Sequence, residues 1–268
     1  MIDFAIIGGT GLNRLFEGCS VEELIVSTPF GACSAPIQKS VLFSKGAQVS
    51  KDLEKSASVG KTVVFLARHG QPHTIPPHLV NYRANLMALK QLSVKSIIAI
   101  NAVGGIHADM CKAPHIVIPH QIIDYSYGRA HTYSGCDVTV ELNHLQHIDF
   151  THPFDLTLRE KLIAQLNKTT LSHSSFGVYG CTQGPRLETT AEIKRMQRDG
   201  CDIVGMTMMP EAALARELNI PYAAICLVVN PAAGLSETEI TMDDIKKAVD
   251  VGMSQVVDLV VRLIEAEV

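Results

Sequence analysis

Short runs of apolar, often β-branched residues recur along the chain, and most end at glycine, asparagine or proline. Such runs predict strands at Phe4–Ile7, Lys61–Ala67, Ser96–Ile100, His115–Pro119, Gly177–Cys181 and Pro221–Val229. These runs are apolar throughout instead of alternating with polar residues. They are therefore typical of strands buried on both faces of a sheet.

Segments with helical spacing of apolar residues lie between the strands. They predict helices at Tyr82–Leu92, Thr190–Arg198 and Glu211–Leu218, and a long last helix that begins after Thr241. The alternation of strands and helices indicates an α/β fold, a single domain over residues 1–268 with a central, mixed but largely parallel sheet flanked by helices. The polar stretch at 31–60 is interpreted as a surface excursion.

The composition narrows the class of protein. The chain has 268 residues, of which 47% are apolar, and a net charge of −4. It can bury a substantial core and is too apolar for a disordered chain. The slight acidic excess argues against nucleic acid as a partner. No apolar run is long enough to span a bilayer, so no membrane partner is expected.

The N-terminus and the cysteines indicate the compartment. Asp3 and the glycines from Gly8 onward interrupt the first apolar residues, which therefore predict a strand instead of a signal peptide. The seven cysteines form no Cys-x-x-Cys pair, which indicates reduced thiols and no zinc ribbon. We expect a cytoplasmic protein.

Several strands end in residues that suit an anion. In open α/β sheets, ligands bind beyond the carboxyl ends of the strands. Thr10, in the glycine loop after the first strand, offers a hydroxyl beside exposed backbone N–H groups. Arg68 and His69 follow the second strand, and a buried arginine needs a negative partner. The residues favour a phosphate or carboxylate site, although a tight turn at the glycines and a surface salt bridge at Arg68 are the simpler alternatives.

The histidines near position 70 allow a metal site. His69, His73 and His78 lie close in sequence, but Pro72 and the prolines after it prevent a regular helix that would align them. No His-Glu-x-x-His motif is present. We therefore expect no metal and place His69 in the anion site.

Asn230 ends the apolar sixth strand. Its carboxamide offers both a donor and an acceptor, which matches the edge of a heterocycle. A local turn before Pro231, in which the side chain bonds to its own backbone, explains the residue equally well.

Six longer motifs follow one another along most of the chain. They are AIIGGTGL (5–12), FLARHGQPHTIPPHLVNYRANLMALK (65–90), INAVGGI (100–106), CTQGPRLETTAEIKRM (181–196), DIVGMTMMPEAALARELNIPYA (202–223) and VVNPAAG (228–234). Together they resemble the trimeric class of purine nucleoside phosphorylases, and particularly its methylthioadenosine phosphorylase branch. That family cleaves the N-glycosidic bond of a purine nucleoside with inorganic phosphate, without a metal or organic cofactor.

The resemblance implies roles for individual residues. Phosphate would be bound by Thr10, Arg68, His69, Ala102 and Thr207. The nucleoside would contact Asn101, His147, Leu187, Glu188, Met206, Asn230, Pro231, Ala232 and Met242. Asn230, Arg68 and His69 would serve catalysis. The assembly would be a homotrimer whose site lies near a subunit interface, with His147 lent to the neighbouring subunit.

The base-binding positions depart from the methylthioadenosine branch. That branch has Asp-x-Asp where this chain has Asn230 and Ala232, whereas the 6-oxopurine enzymes have asparagine there and a glutamate where this chain has Glu188. A carboxylate accepts well from the N1–H of hypoxanthine and poorly faces the N1 lone pair of adenine. A 6-oxopurine base is therefore expected.

At the other end of the substrate, the start of the last helix offers Ile240, Thr241 and Met242 and no histidine for a 5′-hydroxyl. An apolar 5′ pocket accepts a methylthio group, so S-methyl-5′-thioinosine is the expected substrate. Inosine, guanosine and methylthioadenosine remain alternatives within the class. A metal-dependent hydrolase and a non-catalytic purine sensor are alternatives outside it.

Overall fold

One large mixed sheet organises the chain. A computed structural model describes residues 1–9, 12–42, 60–136, 145, 147–236 and 241–267. The strands are β1 Ile2–Gly8, β2 Glu22–Leu24, β3 Ser27–Thr28, β4 Gly31–Ala32, β5 Ile37–Leu42, β6 Lys61–Ala67, β7 Val94–Gly105, β8 His115–Val117, β9 Gln121–Asp124, β10 His173–Ser174, β11 Val178–Cys181, β12 Ile203–Gly205 and β13 Tyr222–Pro231. The helices are α1 Tyr82–Gln91, α2 Leu156–Leu166, α3 Thr190–Asp199, α4 Met208–Glu217 and α5 Met242–Ala266.

The central strands of the sheet are parallel. The order is β10-β8-β13-β7-β1-β6-β5-β2, with β12 pairing with β7 and β11 lying between β12 and β9. The pairs β1–β6, β1–β7 and β13–β7 are parallel, whereas β8, β12 and β5 join their central neighbours antiparallel. The expected mixed, largely parallel sheet is confirmed. The carboxyl ends of β1, β6, β7 and β13 consequently meet at one edge.

Helices cover both faces of this sheet. On one face, buried residues of α1 and α4 such as Leu86 and Leu214 pack against the strands. On the other, α2 and α5 contribute residues such as Leu162 and Val260. Because both faces are covered, the central strands are apolar on both sides, as their continuous apolar runs predict. None of the described helices is long and apolar enough to cross a membrane.

Most of the expected elements are confirmed, but the third strand extends well beyond its predicted end. The predicted strand Ser96–Ile100 is part of β7, which continues through the residues expected to form a loop at Asn101–Gly105. This continuation has a physical cause: the last residues of β7 pair with β13 on one side and with β12 on the other. Gly105 is needed there, since a Cβ at this position would lie 2.2 Å from the Met110 carbonyl oxygen.

Helix α2 has no counterpart among the predicted elements. Its buried residues Leu158, Leu162 and Leu166 are four apart, and the Asp155 side chain caps its start by accepting from the Leu158 N–H. The spacing and the cap are visible in the sequence.

The interpretation of 31–60 as a surface excursion differs from the structure over its first part. Residues 31–32 form β4 of a small exposed hairpin, but Ile37–Leu42 is β5, which pairs antiparallel with β6 in the main sheet. Its burial alternates only partly, and Gln38 and Lys39 are polar, so the apolar pattern of this strand is weak. Residues 43–59 lie outside the described residues.

Helix α3 begins directly after Glu188 with a capping box. The Thr189 side chain accepts from the Glu192 N–H, and the Glu192 carboxylate accepts from the Thr189 N–H. These reciprocal bonds satisfy backbone donors that the first turn of a helix leaves unpaired.

Replacing the cap should therefore destabilise the fold. We expect Thr189→Ala to lower the free energy of unfolding by about 1 kcal/mol, as the loss of a hydroxyl cap does in other helices. Urea denaturation followed by circular dichroism measures this change. Thr189→Ser keeps the hydroxyl and should stay close to the wild type; an equal loss in both variants would contradict the capping role.

Candidate functional site

A cavity of about 480 Å³ opens at the edge where β1, β6, β7 and β13 end. The predicted site residues that line it are Arg68, His69, Asn101, Ala102, Leu187, Glu188, Met206, Thr207, Asn230 and Ala232. They come from widely separated parts of the chain. The convergence inferred from the strand ends is thus present in the fold.

Arg68 is the largest buried charged residue of this cavity. Arg68 is 1% exposed. It donates from Nε at 2.7 Å and from Nη2 at 2.8 Å to the carboxylate of Glu211 in α4, which is fully buried. The remaining bonds go to the carbonyls of Ile100 at 3.3 Å and Ile7 at 3.4 Å. The alternative of a surface salt bridge is wrong, because the pair is buried.

Arg68 keeps its charge in this buried setting. Burial opposes the charged form of Arg68, but the Glu211 carboxylate outweighs burial and raises the pKa of the guanidinium above its ordinary value. Burial and Glu211 together also raise the pKa of Tyr222, whose hydroxyl donates to Glu211 at 2.9 Å. Arg68 is thus a fixed cation at every physiological pH.

His69 is a neutral residue in this setting. Its Nδ1 lies 2.8 Å from the Ile75 carbonyl oxygen, and because a carbonyl only accepts, Nδ1 carries the proton. Burial and the neighbouring Arg68 lower the pKa of the ring to about 4. His73, expected to make loop hydrogen bonds, stacks on this ring with centroids 4.4 Å apart. The Nε2 of His69 is therefore a hydrogen-bond acceptor.

Asn101 and Thr207 form a buried pair on the floor of the cavity. The Thr207 hydroxyl lies 2.6 Å from Asn101 Oδ1, and Asn101 is 4% exposed. The Asn101 Nδ2 is buried without a partner in the described structure. Because a buried amide donor is costly when unpaired, this nitrogen is suited to donate to a bound ligand.

Asn230 and Glu188 occupy another wall. The Asn230 side chain donates from Nδ2 to the Pro231 carbonyl at 2.6 Å, at the point where a bulge shifts the register of β13. The residue thus makes a local bond and also lines the cavity, so both interpretations of Asn230 apply in part. Glu188 is held by the Thr182 hydroxyl, which donates to its Oε1 at 2.6 Å. Leu187 beside it is 42% exposed.

The first turns of α5 give the cavity an apolar wall. Ile245, Val249 and Met253, spaced four residues apart, line the cavity from one face of this helix. Their spacing marks an apolar stripe in the sequence, but the stripe alone does not distinguish a ligand-facing wall from core packing.

The remaining predicted site residues do not line the cavity. Pro231 directs its carbonyl to Asn230 and is not part of the lining. His147 is exposed and lies apart from the cavity, shortly before Thr151, which contacts Gln121 at the start of β9. Thr10 lies outside the described residues. Met242 begins α5, and its side chain also lies outside the description.

Glu211 and Tyr222 are functional partners that the sequence interpretation did not identify. Glu211 is 143 residues from Arg68 in the chain, so no local pattern connects the two. A signal did exist: Glu211 lies between the apolar residues MMP and AALA of α4, and an acidic residue in such a run requires a buried partner. Among the described residues, no group of histidine, cysteine and acidic side chains has an arrangement that could hold a metal ion.

Comparison with known proteins identifies relatives over the full length. A probable S-methyl-5′-thioinosine phosphorylase from Pseudomonas syringae pv. tomato is 49% identical over 99% of this chain and 100% of its own length. One of the same name from Xanthomonas campestris pv. campestris is 44% identical, over 98% of this chain and 97% of the relative. A 6-oxopurine nucleoside phosphorylase from Pyrococcus furiosus is 39% identical over 97% of this chain and 91% of the relative.

Solved structures are similar as well. Methylthioadenosine phosphorylase from Schistosoma mansoni, in complex with adenine, superposes with a TM-score of 0.84 at 28% identity, covering 98% of this chain and 91% of that chain. The family model described as the phosphorylase superfamily matches residues 47–265. This chain is therefore a member of the phosphorylase superfamily.

Proposed function

We propose that this protein cleaves the N-glycosidic bond of a 6-oxopurine nucleoside with inorganic phosphate. The preferred substrate is S-methyl-5′-thioinosine, and the products are hypoxanthine and 5-methylthioribose 1-phosphate. The observation that carries this proposal is that Asn230 and Glu188 line one cavity together with Arg68. Relatives at 49% and 44% identity bear the name of that activity. The enzyme is accordingly a pentosyltransferase.

Phosphate would bind at the floor and the Arg68 side of the cavity. Four of the five guanidinium N–H groups of Arg68 are used in the described bonds, which leaves one on Nη1 for an anion. Asn101 Nδ2 is a second donor, and Ala102 lines the same floor. The His69 Nε2 complements a protonated phosphate oxygen. Thr10 and Thr207 complete the proposed phosphate site.

The reaction needs positioning and charge more than a nucleophilic side chain. As the bond between C1′ and the purine nitrogen breaks, its electron pair leaves with the base and the ribose becomes cationic. A phosphate held beneath the ribose stabilises that charge and then bonds to C1′. Met206 lines the cavity and would lie against the ribose. This scheme requires no metal or organic cofactor.

The base end favours a 6-oxopurine. Glu188 would accept from the N1–H of hypoxanthine, and the Asn230 amide would meet O6 and N7. As negative charge builds on the leaving base, a hydrogen bond at N7 stabilises it. Leu187 is an exposed aliphatic residue and cannot stack on the base as an aromatic side chain would. Base recognition therefore depends on these polar contacts.

The apolar wall of α5 suits a methylthio group. Ile245, Val249 and Met253 offer no hydrogen bond to a 5′-hydroxyl. Pockets of this kind discriminate modestly against a small polar group, so inosine and guanosine remain weaker substrates of the same enzyme.

Cleavage of methylthioadenosine is the second candidate, because the solved structures that match belong to an enzyme named for it. The apolar α5 wall fits that substrate equally well. The carboxylate of Glu188 argues against it, since adenine has no hydrogen on N1 to donate.

The proposal includes a cytoplasmic homotrimer. His147 is exposed and does not line the cavity of its own chain, which leaves its side chain free to contact a neighbouring subunit's cavity. All seven cysteines are unpaired, as in proteins of a reducing compartment. Sedimentation equilibrium measures the assembly directly.

A substrate panel tests the function. Release of free base should depend fully on phosphate, persist in the presence of a chelator, and be fastest with S-methyl-5′-thioinosine, slower with inosine and slowest with methylthioadenosine. Equal or faster cleavage of methylthioadenosine would falsify the 6-oxopurine assignment. Cleavage without phosphate would indicate a hydrolase, and no turnover of any nucleoside a binding protein.

Asn230→Asp tests the base-reading amide. The new carboxyl group can protonate N7 and accept from a 6-amino group, so the preference should shift toward methylthioadenosine by about tenfold or more, judged from the ratio of the kcat/KM values. Asn219→Asp adds the same charge at the C-terminal end of α4, away from the cavity, and should leave the ratio unchanged. An unchanged ratio in Asn230→Asp would remove this residue from its role.

Glu211→Gln tests the charge balance around Arg68. Loss of the carboxylate leaves a buried cation without its counter-charge, which costs about 3–5 kcal/mol when a buried pair is broken. The free energy of unfolding in urea should fall by that amount. Glu22→Gln breaks an exposed pair with Lys39 and should change it by less than about 1 kcal/mol. Similar decreases in the free energy of unfolding in the two variants would contradict the claim that burial makes the Arg68–Glu211 pair costly to break.

A further inference from the structure

Arg129 is a buried arginine outside the cavity. It lies in the loop that follows β9 and is 8% exposed. It does not line the cavity, and its guanidinium carbon sits 5.8 Å from the ring centre of Tyr82. A buried cation must recover its lost hydration through hydrogen bonds, so its partners show what it holds together.

Every N–H group of the Arg129 guanidinium is used. Nε donates to Gln183 Oε1 at 3.1 Å, and Nη2 donates to the carbonyls of Thr182 at 3.0 Å and Gln183 at 2.8 Å. Nη1 donates to the carbonyls of Met206 at 2.8 Å and Met209 at 2.5 Å. All these partners are neutral oxygen atoms, and they belong to two separate segments of the chain.

These two segments follow the paired strands β11 and β12, and both contribute residues to the lining of the cavity. The first carries Thr182, whose hydroxyl holds the Glu188 carboxylate. The second carries Met206 and Thr207, which line the side of the cavity proposed for ribose and phosphate. The planar guanidinium therefore joins the segment that carries Glu188, proposed to bind the base, to the segment that carries Met206 and Thr207, and it does so with a fixed geometry.

We propose that Arg129 is a positioning residue for base selectivity: it fixes the Thr182–Glu188 segment at the distance from Met206 and Thr207 that suits a 6-oxopurine nucleoside. The inference rests on the proposed function, because selectivity is defined only for an enzyme that cleaves nucleosides. Arg129 acts through Thr182 and Glu188 and does not touch the substrate.

Arg129→Lys keeps the positive charge but loses the planar set of N–H donors, since an ammonium group cannot reach the carbonyls of both segments. We expect kcat/KM for S-methyl-5′-thioinosine to fall by about tenfold or more and kcat/KM for methylthioadenosine to fall less. The ratio of the two values, which measures the preference for S-methyl-5′-thioinosine, should therefore decrease. The KM for S-methyl-5′-thioinosine should rise. A loss of folded enzyme alone would lower both activities in proportion and leave KM and the ratio unchanged.

Arg159→Lys is the matched control. Arg159 of α2 also donates from its guanidinium to backbone carbonyls, of Pro119 at 2.7 Å and Ser175 at 2.9 Å, but these carbonyls lie away from the cavity. Its loss should reduce thermal stability and leave the substrate ratio as in the wild type. A decrease of this ratio in both variants would overturn the inference, as would an unchanged ratio in Arg129→Lys.

Thr182→Val covers the case in which Arg129→Lys does not fold. It removes the hydroxyl that holds Glu188 and leaves the arginine in place, so it should narrow the same preference and weaken the binding of hypoxanthine measured by calorimetry. An unchanged ratio and affinity would overturn the chain of contacts from Arg129 to Glu188. If the wild type cleaves no nucleoside, the proposed function itself fails, which is a result distinct from either of these.

Discussion

The buried pair of Arg68 and Glu211 is the interaction on which the site depends. Arg68 ends β6, bonds to the carbonyls of Ile7 in β1 and Ile100 in β7, and reaches Glu211 in α4. One side chain thereby joins three parallel strands and a helix at the edge where the cavity opens. Removing two charges from water is expensive, and a buried pair often stabilises a fold less than an apolar substitute would. Its position beside the proposed phosphate site supplies a functional reason for its presence.

The pair also changes how the charge of the site is understood. From the sequence, Arg68 is a positive residue at the end of an apolar strand, without an acidic neighbour, in a chain of net charge −4. In the fold, Glu211 neutralises most of that charge, and His69 is neutral as well. In the proposed site, phosphate would therefore be bound by directed donors, namely an Arg68 N–H and the Asn101 amide, more than by excess positive charge. Directed donors distinguish a phosphate from other anions by geometry.

The sequence predicts the central fold well because buried parallel strands leave long apolar runs. β6 has the expected bounds, and the ends of β1 and β13 differ by only one or two residues. Strand β5, which lies between β6 and β2, was not predicted, since its partly polar residues resemble a surface segment. The partners Glu211 and Arg129 could not be read from local patterns, because each contacts residues more than 50 positions away. Asn101 was expected in a loop and lies instead within β7.

The extension of β7 has a consequence for how a substrate enters. Gly104 pairs with Val204 of β12 and with Asn230 of β13, so the floor of the cavity is hydrogen-bonded on both sides. A floor built into the middle of a sheet resists deformation, unlike the glycine loops that close over ligands in other α/β proteins. For the proposed reaction, entry of the nucleoside and release of the base would therefore depend on the side walls, the proline-rich segment at 73–77 and the first turns of α5, which are not paired into the sheet.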